Sequence, residues 1–134
     1  MQKSASHVVL GFVEVINRHG VKGLNALMTE DHVFVDGFGQ TVRDRERMEQ
    51  GWVAYFGWFP DYSIKVDDIL SKGNAVGLFE TSQGTYCVNG ELLPRKHWEI
   101  PAAWKAVVQG GRISEWHVYA DNEPVWKIMG AKRY

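Results

Sequence analysis

The chain has 134 residues, of which 45% are hydrophobic and 23% charged, and its formal net charge is −1. This size and composition are typical of one globular domain, which we expect to span residues 1–134. The balanced charge, without a basic cluster, argues against nucleic acid as a partner, because binding to phosphates requires a basic patch. No apolar stretch approaches the ~20 residues that cross a membrane, so no membrane association is expected.

The cysteine and histidine content narrows the chemistry. Cys87 is the only cysteine, which excludes an intrachain disulfide. A lone cysteine and an N-terminus without a signal-peptide pattern favour a reducing compartment, and we expect a cytoplasmic location. The five histidines lack metal-ligand spacing, so we expect no metal and no other cofactor.

The first 28 residues predict two helices. Apolar residues recur at helical spacing over residues 4–19, where Ser4 or Ser6 would cap the helix and Gly20 would follow its end. A shorter helix is expected at about residues 21–28.

A third helix is predicted over residues 44–59, with Asp44 as its N-cap and Pro60 as its stop. Its apolar residues follow a clean helical stripe. We expect this stripe to pack against a sheet, and its members are Met48, Trp52, Tyr55, Phe56 and Phe59.

The segment HVFVDGFG, between the second and third helices, predicts a short strand that ends in a glycine-rich turn. Period-two alternation places His32, Phe34 and Asp36 on one face of this strand. The turn contains Gly37 and Gly39.

The second half of the chain has the signals of four mostly antiparallel strands. Strands are predicted at residues 62–70 and 75–88, and Asn89-Gly90 is a strong hairpin turn. The segment 96–122 then predicts two long, aromatic-rich strands that are joined by a tight turn at residues 109–112.

A final short helical turn is expected after Asn122, through Trp126 and Met129. The complete order of elements predicts an α+β fold in which three N-terminal helices pack against a strongly curved, mostly antiparallel sheet. Two strands alone would be marginal in water, so the helical layer is needed to cover them.

This order, together with the segments DHVFVDGFG, GWVAYFGWFPDY, IPAAW and GRISEWHVYADN, resembles the NTF2-like superfamily and, within it, the SnoaL-like family named for polyketide cyclases. The resemblance covers nearly the whole chain. It implies a cone-shaped barrel with one deep pocket for a small hydrophobic molecule, and a homodimer formed through the outer face of the sheet. The superfamily contains isomerases, epoxide hydrolases, cyclases and non-catalytic binding domains, so the fold alone does not define the function.

The ketosteroid isomerases of this superfamily provide one comparison of site residues. Their Asp base follows the strand after the second helix, and Asp36 matches that position. They also need a Tyr on the first helix and a neutral carboxylic acid on a late strand, because the enolate must accept hydrogen bonds. The matching positions are Phe12 and Ala103, so steroid isomerisation is not expected.

The epoxide hydrolases and SnoaL-type cyclases provide two more comparisons. The hydrolase Arg and Asp on a central strand correspond to Glu80 and Ser82. The Asp that both groups place on the last strand corresponds to Val118. Asp121 is a possible substitute, but alternation with Trp116 directs it outward or makes it a cap of the strand end, unless a bulge reverses the alternation.

Asp36 is therefore the best candidate for a catalytic base, since an aromatic pocket would partly desolvate it. The alternative is that Asp36 accepts backbone hydrogen bonds in the glycine turn that follows it. His32 has the same two interpretations, as an acid/base partner or as a core residue.

Two charged residues are also predicted to face inward, Glu80 with Leu78 and Ser82, and Lys105 with Ala103 and Val107. A buried charge is costly unless it is paired, so a Glu80–Lys105 ion pair is one solution. The pair would either bind a polar group of the substrate or serve the structure only.

The leading hypothesis is an enzyme that uses cofactor-independent acid/base catalysis on a small cyclic or polyketide-like carbonyl compound. Asp36 would be the base, with His32 and Tyr55 as hydrogen-bonding partners. The walls of its pocket would consist of Trp52, Phe56, Trp98 and Trp116. The second hypothesis is a non-catalytic module that binds an apolar ligand or dimerises.

Overall fold

The computed structural model describes residues 3–130. Within this range four helices and six strands confirm the predicted order, with one additional short strand. The elements are α1 (Ala5–Asn17), α2 (Val21–Leu27), β1 (Met28–Val35), β2 (Thr41–Arg43), α3 (Arg45–Trp58), β3 (Ser63–Lys72), β4 (Ala75–Val88), β5 (Glu91–Gln109), β6 (Arg112–Tyr119) and α4 (Glu123–Met129).

The six strands form one mixed sheet in the order β2-β1-β6-β5-β4-β3. All neighbouring strands are antiparallel except β1 and β6, which are parallel. The sheet is not closed, because β2 and β3 remain as its two edges. Helix α1 packs across β3, β4, β5 and β6, and α3 packs against β1, β2 and β4, so the core lies between the helices and one face of the sheet. This is the predicted α+β class.

The end of α1 differs from the prediction. His19, not Gly20, takes the left-handed conformation after the helix, with φ of 56°, and Gly20 becomes the N-cap of α2. The His19 ring makes two tertiary contacts: Nε2 is 2.8 Å from the Tyr62 carbonyl oxygen, and the ring stacks on Phe56 at 4.1 Å. These contacts hold His19 in a conformation that costs a non-glycine residue energy.

Helix α3 begins as predicted. The Asp44 side chain accepts a hydrogen bond from the Arg47 backbone N–H at 2.9 Å, and the Asp44 N–H donates to the His32 carbonyl oxygen at 2.9 Å. The cap therefore fastens the start of α3 to β1. The stripe of Met48, Trp52 and Phe56 is buried, as expected.

The pairing of β4 with β5 determines which side chains face the helices. Its register is continuous from Ala75↔Val107 to Thr85↔His97, so Pro101 does not interrupt the alternation. The inner face of β5 carries Trp98, Ile100, Ala102, Trp104, Ala106 and Val108, while Ala103, Lys105 and Val107 lie on the outer face.

The prediction that Lys105 faces inward is therefore wrong. Its side chain is 51% exposed, and Nζ lies 3.6 Å from a carboxylate oxygen of Glu115 on β6. The proposed ion pair between Glu80 and Lys105 does not form, because the two residues lie on opposite faces of the sheet.

Helix α4 forms where the helical turn was expected after Asn122. Pro124 lies in its first turn, and Gly130 ends it with φ of 73°. The helix packs against β5. None of the helices between residues 3 and 130 is long and apolar enough to cross a membrane.

Two glycines of β4 make the packing of this region testable. A Cβ on Gly84 would lie 3.1 Å from a ring carbon of Trp98 and 3.2 Å from Cβ of Phe59, whereas a Cβ on Gly77 would meet nothing within 4 Å. We expect Gly84→Ala to lower the unfolding free energy by about 1–3 kcal/mol, because both neighbours are buried. Gly77→Ala is the matched control and should be neutral or slightly stabilising. Urea unfolding measures both, and equal effects would contradict the packing described here.

Candidate functional site

A cavity of about 360 Å³ lies between α3, α4 and the inner face of the sheet. This is within the size range of small-molecule sites. A groove of about 320 Å³ at Gly37, Phe38 and residues 120–123 shares part of its lining with the cavity and continues it outward. The aromatic lining residues of the cavity are Phe34, Phe38, Trp52, Tyr55, Trp58, Phe59, Tyr62, Trp98, Trp104, Trp116 and Trp126.

Five of the predicted site residues line this cavity. Trp52 and Tyr55 come from α3, Trp98 from β5, Trp116 from β6, and Asp36 from the turn that follows β1. The inward orientation predicted for the face of β6 that carries Trp116 is also found, since Val118 and Ala120 line the cavity as well.

Phe56, one of the predicted wall residues, packs elsewhere. It is buried, but its ring stacks on His19 and on Trp52, with centroid distances of 4.1 and 5.4 Å, and it does not line the cavity. Tyr55, its neighbour on the helix, lines the cavity. Lys105 lies outside it, on the outer face of the sheet.

Asp36 accepts hydrogen bonds in the turn, as one of its two interpretations predicted, and it also borders the cavity. Its Oδ1 accepts hydrogen bonds from the backbone N–H groups of Phe38 and Gln40, both at 2.9 Å, so it organises the turn. The residue is half-buried and also lines the cavity. Oδ2 is not used by these two bonds.

His32 has the environment of a core residue. Its Nδ1 is 2.8 Å from the Ile113 carbonyl oxygen, and because a carbonyl can only accept, Nδ1 carries the hydrogen. Burial lowers the pKa of the imidazole, although the bond to Ile113 and the charge of Asp31 act in the opposite direction. His32 does not line the cavity, so its geometry favours the alternative of a satisfied histidine that ties β1 to β6.

Asp121 matches the outward alternative. Its Oδ1 accepts the Glu123 backbone N–H at 3.0 Å, at the start of α4, and the side chain is exposed. It lines the outer groove and not the cavity.

The sequence analysis did not predict the most polar part of the cavity wall. Ser82 Oγ lies 2.8 Å from both carboxylate oxygens of Glu80 and 3.4 Å from the hydroxyl of Tyr62. The Tyr62 hydroxyl also interacts with that of Tyr55. We call these four residues the polar string. Ser82, Tyr62 and Tyr55 line the cavity, and Glu80 lies behind Ser82 with 2% of its surface exposed.

Burial governs the protonation of the polar string. It raises the pKa of Glu80 to about 7; the bond from Ser82 opposes this shift, and the charge of Asp67 adds to it. Burial also raises the pKa of Tyr55 and of Tyr62, so both remain neutral hydroxyls at physiological pH.

The sequence pattern did predict one part of the polar string, the shared orientation of Glu80 and Ser82. Alternation placed Glu80 and Ser82 on one face of β4, which the structure confirms because both are buried on the inner side. Tyr62 was predicted as the first residue of a strand at 62–70, but β3 begins at Ser63, and nothing in the sequence predicted that the Tyr62 hydroxyl would meet Ser82.

Four of the six tryptophans that line the cavity have a buried indole N–H in common. Within the described part of the chain, the buried indole N–H groups of Trp52, Trp98, Trp104 and Trp116 have no hydrogen-bond partner. Buried donors are normally paired. All four of these tryptophans line the cavity.

Metal chemistry has no obvious site here. Among residues 3–130, no group of three or more His, Cys, Asp or Glu side chains could hold a metal ion. The titratable groups at or directly behind the cavity wall include two carboxyls, those of Asp36 and Glu80, and two phenols.

The position of Glu80 predicts a pH-dependent stability. Its carboxyl has a pKa of about 4.5 in the unfolded chain and about 7 in the folded one, so between these values the folded state binds more protons. Unfolding free energy should therefore fall as pH rises through this window. Glu80→Gln removes this loss, and we expect it to be more stable than wild type by roughly 2 to 3 kcal/mol at about pH 8.

Urea unfolding at a series of pH values measures this difference. Glu99→Gln, an exposed glutamate on β5, is the matched control and should follow the wild-type curve. A constant difference between Glu80→Gln and wild type from about pH 4 to pH 8 would contradict the assignment.

Solved structures and a protein-family model resemble this chain. None of the curated proteins compared with it matches its sequence. IdmH of Streptomyces antibioticus, provisionally described as a polyketide cyclase, superposes with a TM-score of 0.79 and 25% identity, over 96% of this chain and 100% of that one. A protein of Jannaschia sp. CCS1, provisionally described as a SnoaL-like polyketide cyclase, superposes with a TM-score of 0.81 and 16% identity, over 99% of both chains.

An epoxide hydrolase of Mycobacterium tuberculosis, described as LEH-like, has the same fold. Its TM-score is 0.77 at 18% identity, over 92% of this chain and 87% of that one. The model of the SnoaL-like domain matches residues 9–116. The chain therefore belongs to the SnoaL-like family.

Proposed function

We propose that this SnoaL-like protein is an enzyme that performs cofactor-independent acid/base catalysis, of the cyclase or isomerase type, on a small hydrophobic carbonyl compound. The compound would be cyclic or polyketide-like. One observation carries the proposal: a carboxylate, Asp36, and the hydroxyls of the polar string border the same aromatic cavity.

The walls of the cavity favour a largely apolar ligand. Aromatic rings dominate the lining, and burial of apolar ligand surface against them contributes about 25 cal/mol per Å². The polar groups are few and are located at two places, which is the usual composition of a site that binds through shape and orients through hydrogen bonds.

The chemistry follows from the two kinds of polar group. Asp36 Oδ2 would take a proton from the carbon next to the ligand carbonyl, and the C–H electron pair would move toward the carbonyl oxygen as an enolate. That oxygen needs hydrogen-bond donors, which Tyr55, Tyr62 and Ser82 can supply. Return of the proton from Asp36 to another carbon completes an isomerisation. In a cyclisation the enolate carbon instead attacks a second carbonyl of the ligand, the C=O electron pair moves onto that oxygen, and the oxygen takes the proton back from Asp36.

The second candidate, a binding module without catalysis, also has a specific observation in its favour. Asp36 already serves the turn after β1 through Oδ1. Phe12 and Val118 stand where the resemblance places a donor and an acid, and neither has a polar side chain.

An Asp36→Asn variant separates these candidates. An Asn oxygen can still accept the two backbone bonds, so the turn and the cavity should persist, but the amide cannot remove a proton. We expect retained binding, with turnover reduced at least a hundredfold, on a panel of aromatic and polyketide ketones. Thermal shift selects the panel, since a ligand at 100 times its Kd stabilises by about 2.7 kcal/mol.

The matched control is Asp31→Asn, which changes an exposed aspartate on β1 and should leave turnover unchanged. Binding without wild-type turnover on every compound of the panel would establish the binding module instead. Full turnover by Asp36→Asn would remove Asp36 from the mechanism.

We also propose that the protein is a homodimer in the cytoplasm, with the outer face of the sheet as its interface. In support, Phe79, Ala103 and Tyr119 are paired across β4, β5 and β6, and Phe79 and Tyr119 are 46% and 53% exposed. Exposed aromatic residues in a row are typical of an interaction surface. Cys87, the lone cysteine, fits a reducing compartment.

Light scattering coupled to gel filtration should give twice the chain mass of 15.3 kDa. Phe79→Lys should convert the dimer to a monomer, because it replaces an exposed aromatic ring of the row by a charge that the interface would bury. Leu92→Lys, at another exposed apolar position beside the β4–β5 turn, is the control and should leave the dimer intact. A monomeric wild type would rule out the dimer.

A further inference from the structure

Glu80 is a carboxyl in a place where a charge is costly. It lies on the inner face of β4 and is 2% exposed, and its hydrogen-bond partner is Ser82, through both oxygens. No cation compensates it among the described residues, since Lys105 pairs with Glu115 on the outer face. A buried carboxylate without a cation is unfavourable, so protonation is the available relief.

The ionised form of Glu80 fixes the direction of the hydrogen bonds. A carboxylate only accepts, so the Ser82 hydroxyl donates to it. Ser82 then accepts from the Tyr62 hydroxyl, so the Tyr62 hydrogen is also directed toward Glu80. In this state the hydrogens of Ser82 and Tyr62 both point toward Glu80, and neither is available to a ligand carbonyl unless one of these bonds is broken.

The protonated form reverses this direction. Glu80 can donate to Ser82 Oγ, the Ser82 hydroxyl can donate to Tyr62, and the Tyr62 hydroxyl to Tyr55. The last hydroxyl hydrogen is then free to enter the cavity. The polar string therefore presents a hydrogen-bond donor to the cavity when Glu80 is protonated, and an acceptor when Glu80 is ionised.

We propose that Glu80 is a positioning residue whose proton decides whether the hydroxyls of the polar string donate to the carbonyl oxygen of the ligand. The inference rests on the proposed function, because it assumes that a carbonyl compound occupies the cavity. Glu80 touches no ligand atom itself; it acts through Ser82. Productive catalysis then requires two carboxyls in opposite states, Asp36 ionised and Glu80 protonated.

The surroundings of Glu80 place this change within an accessible pH range. The pKa of its carboxyl is about 7 because of burial. The charged group that acts on it is Asp67 of β3, the phenols of Tyr55 and Tyr62 face it from the helix side, and Ala102 of β5 is opposite it. Helix α1 contributes only apolar buried side chains to the core. Protonated Glu80, and with it the donor arrangement of the polar string, therefore predominates below about pH 7 and is lost above it.

A pair of probes of equal shape measures the donor directly. 2-Acetylnaphthalene carries a carbonyl acceptor, 2-ethylnaphthalene has the same ring and chain length without it, and neither ionises between pH 5.5 and 8.5. Calorimetric titration of both gives the ratio of their affinities, which isolates the hydrogen bond from the apolar contact. In wild type we expect the preference for the ketone to fall about threefold to tenfold from pH 5.5 to pH 8.5.

Variants of the string should change this ratio in different ways. In Glu80→Gln the amide donates to Ser82 at every pH, so the ketone preference should stay at its low-pH value throughout. In Ser82→Ala the string is interrupted, and the preference should no longer depend on pH. Glu99→Gln, the exposed control, should repeat the wild-type profile.

The outcomes distinguish this inference from the proposed function. If both probes bind wild type but their ratio is independent of pH, the role of Glu80 is wrong and the ligand cavity stands. If neither probe nor any ketone of the panel binds, the proposed function fails and the inference with it. Near-UV circular dichroism checks that the variants fold, and if Glu80→Gln does not, the wild-type profile and Ser82→Ala decide.

Discussion

The register of β4 against β5 is the constraint on which the site depends. Side chains alternate along a strand, so one choice of pairing directs Glu80 and Ser82 inward together with Trp98 and Trp104. A slip of a single residue would turn Lys105 into the cavity and Trp104 out to solvent. The β5 part of the aromatic wall and the Glu80–Ser82 end of the polar string are thus two consequences of one set of backbone hydrogen bonds, and the unbroken pairing across Pro101 preserves both.

Most of the fold could be predicted because its long elements have strong periodicity. Sequence patterns predicted the α3 stripe, the Asp44 cap and the Asn89-Gly90 turn. The resemblance to the family then indicated how these elements assemble. The misses have local causes. β2 has only three residues, too few for a pattern, and its pairing with β1 is a tertiary event. The left-handed residue after α1 is His19 and not the adjacent glycine, because ring contacts with other elements hold it there.

The site was less predictable, because it depends on which buried side chains line the cavity and which pack against other core residues. Tyr55 and Phe56 are neighbours on one helical stripe, yet only Tyr55 lines the cavity while Phe56 meets His19. His32 shares an alternation pattern with Asp36, but β1 is irregular between Met28 and Val33 in its pairing with β6, and the imidazole bonds to the backbone instead. Sequence patterns separate buried from exposed positions, but they do not separate core from cavity.

Two carboxyls around one aromatic cavity can do different work because their surroundings differ. Asp36 stands at the end of a strand, where two backbone N–H groups donate to one of its oxygens. Glu80 lies deep in the sheet with a single hydroxyl donor and the like charge of Asp67 nearby, an arrangement that suits the neutral acid. Both the buried acid and the four unpaired indole N–H groups lower stability, and the aromatic core around Phe12, which contacts the rings of Trp52 and Trp116, offsets this. Apolar groups at these positions would serve a stable core, so the polar string supports the catalytic role that we propose for the cavity.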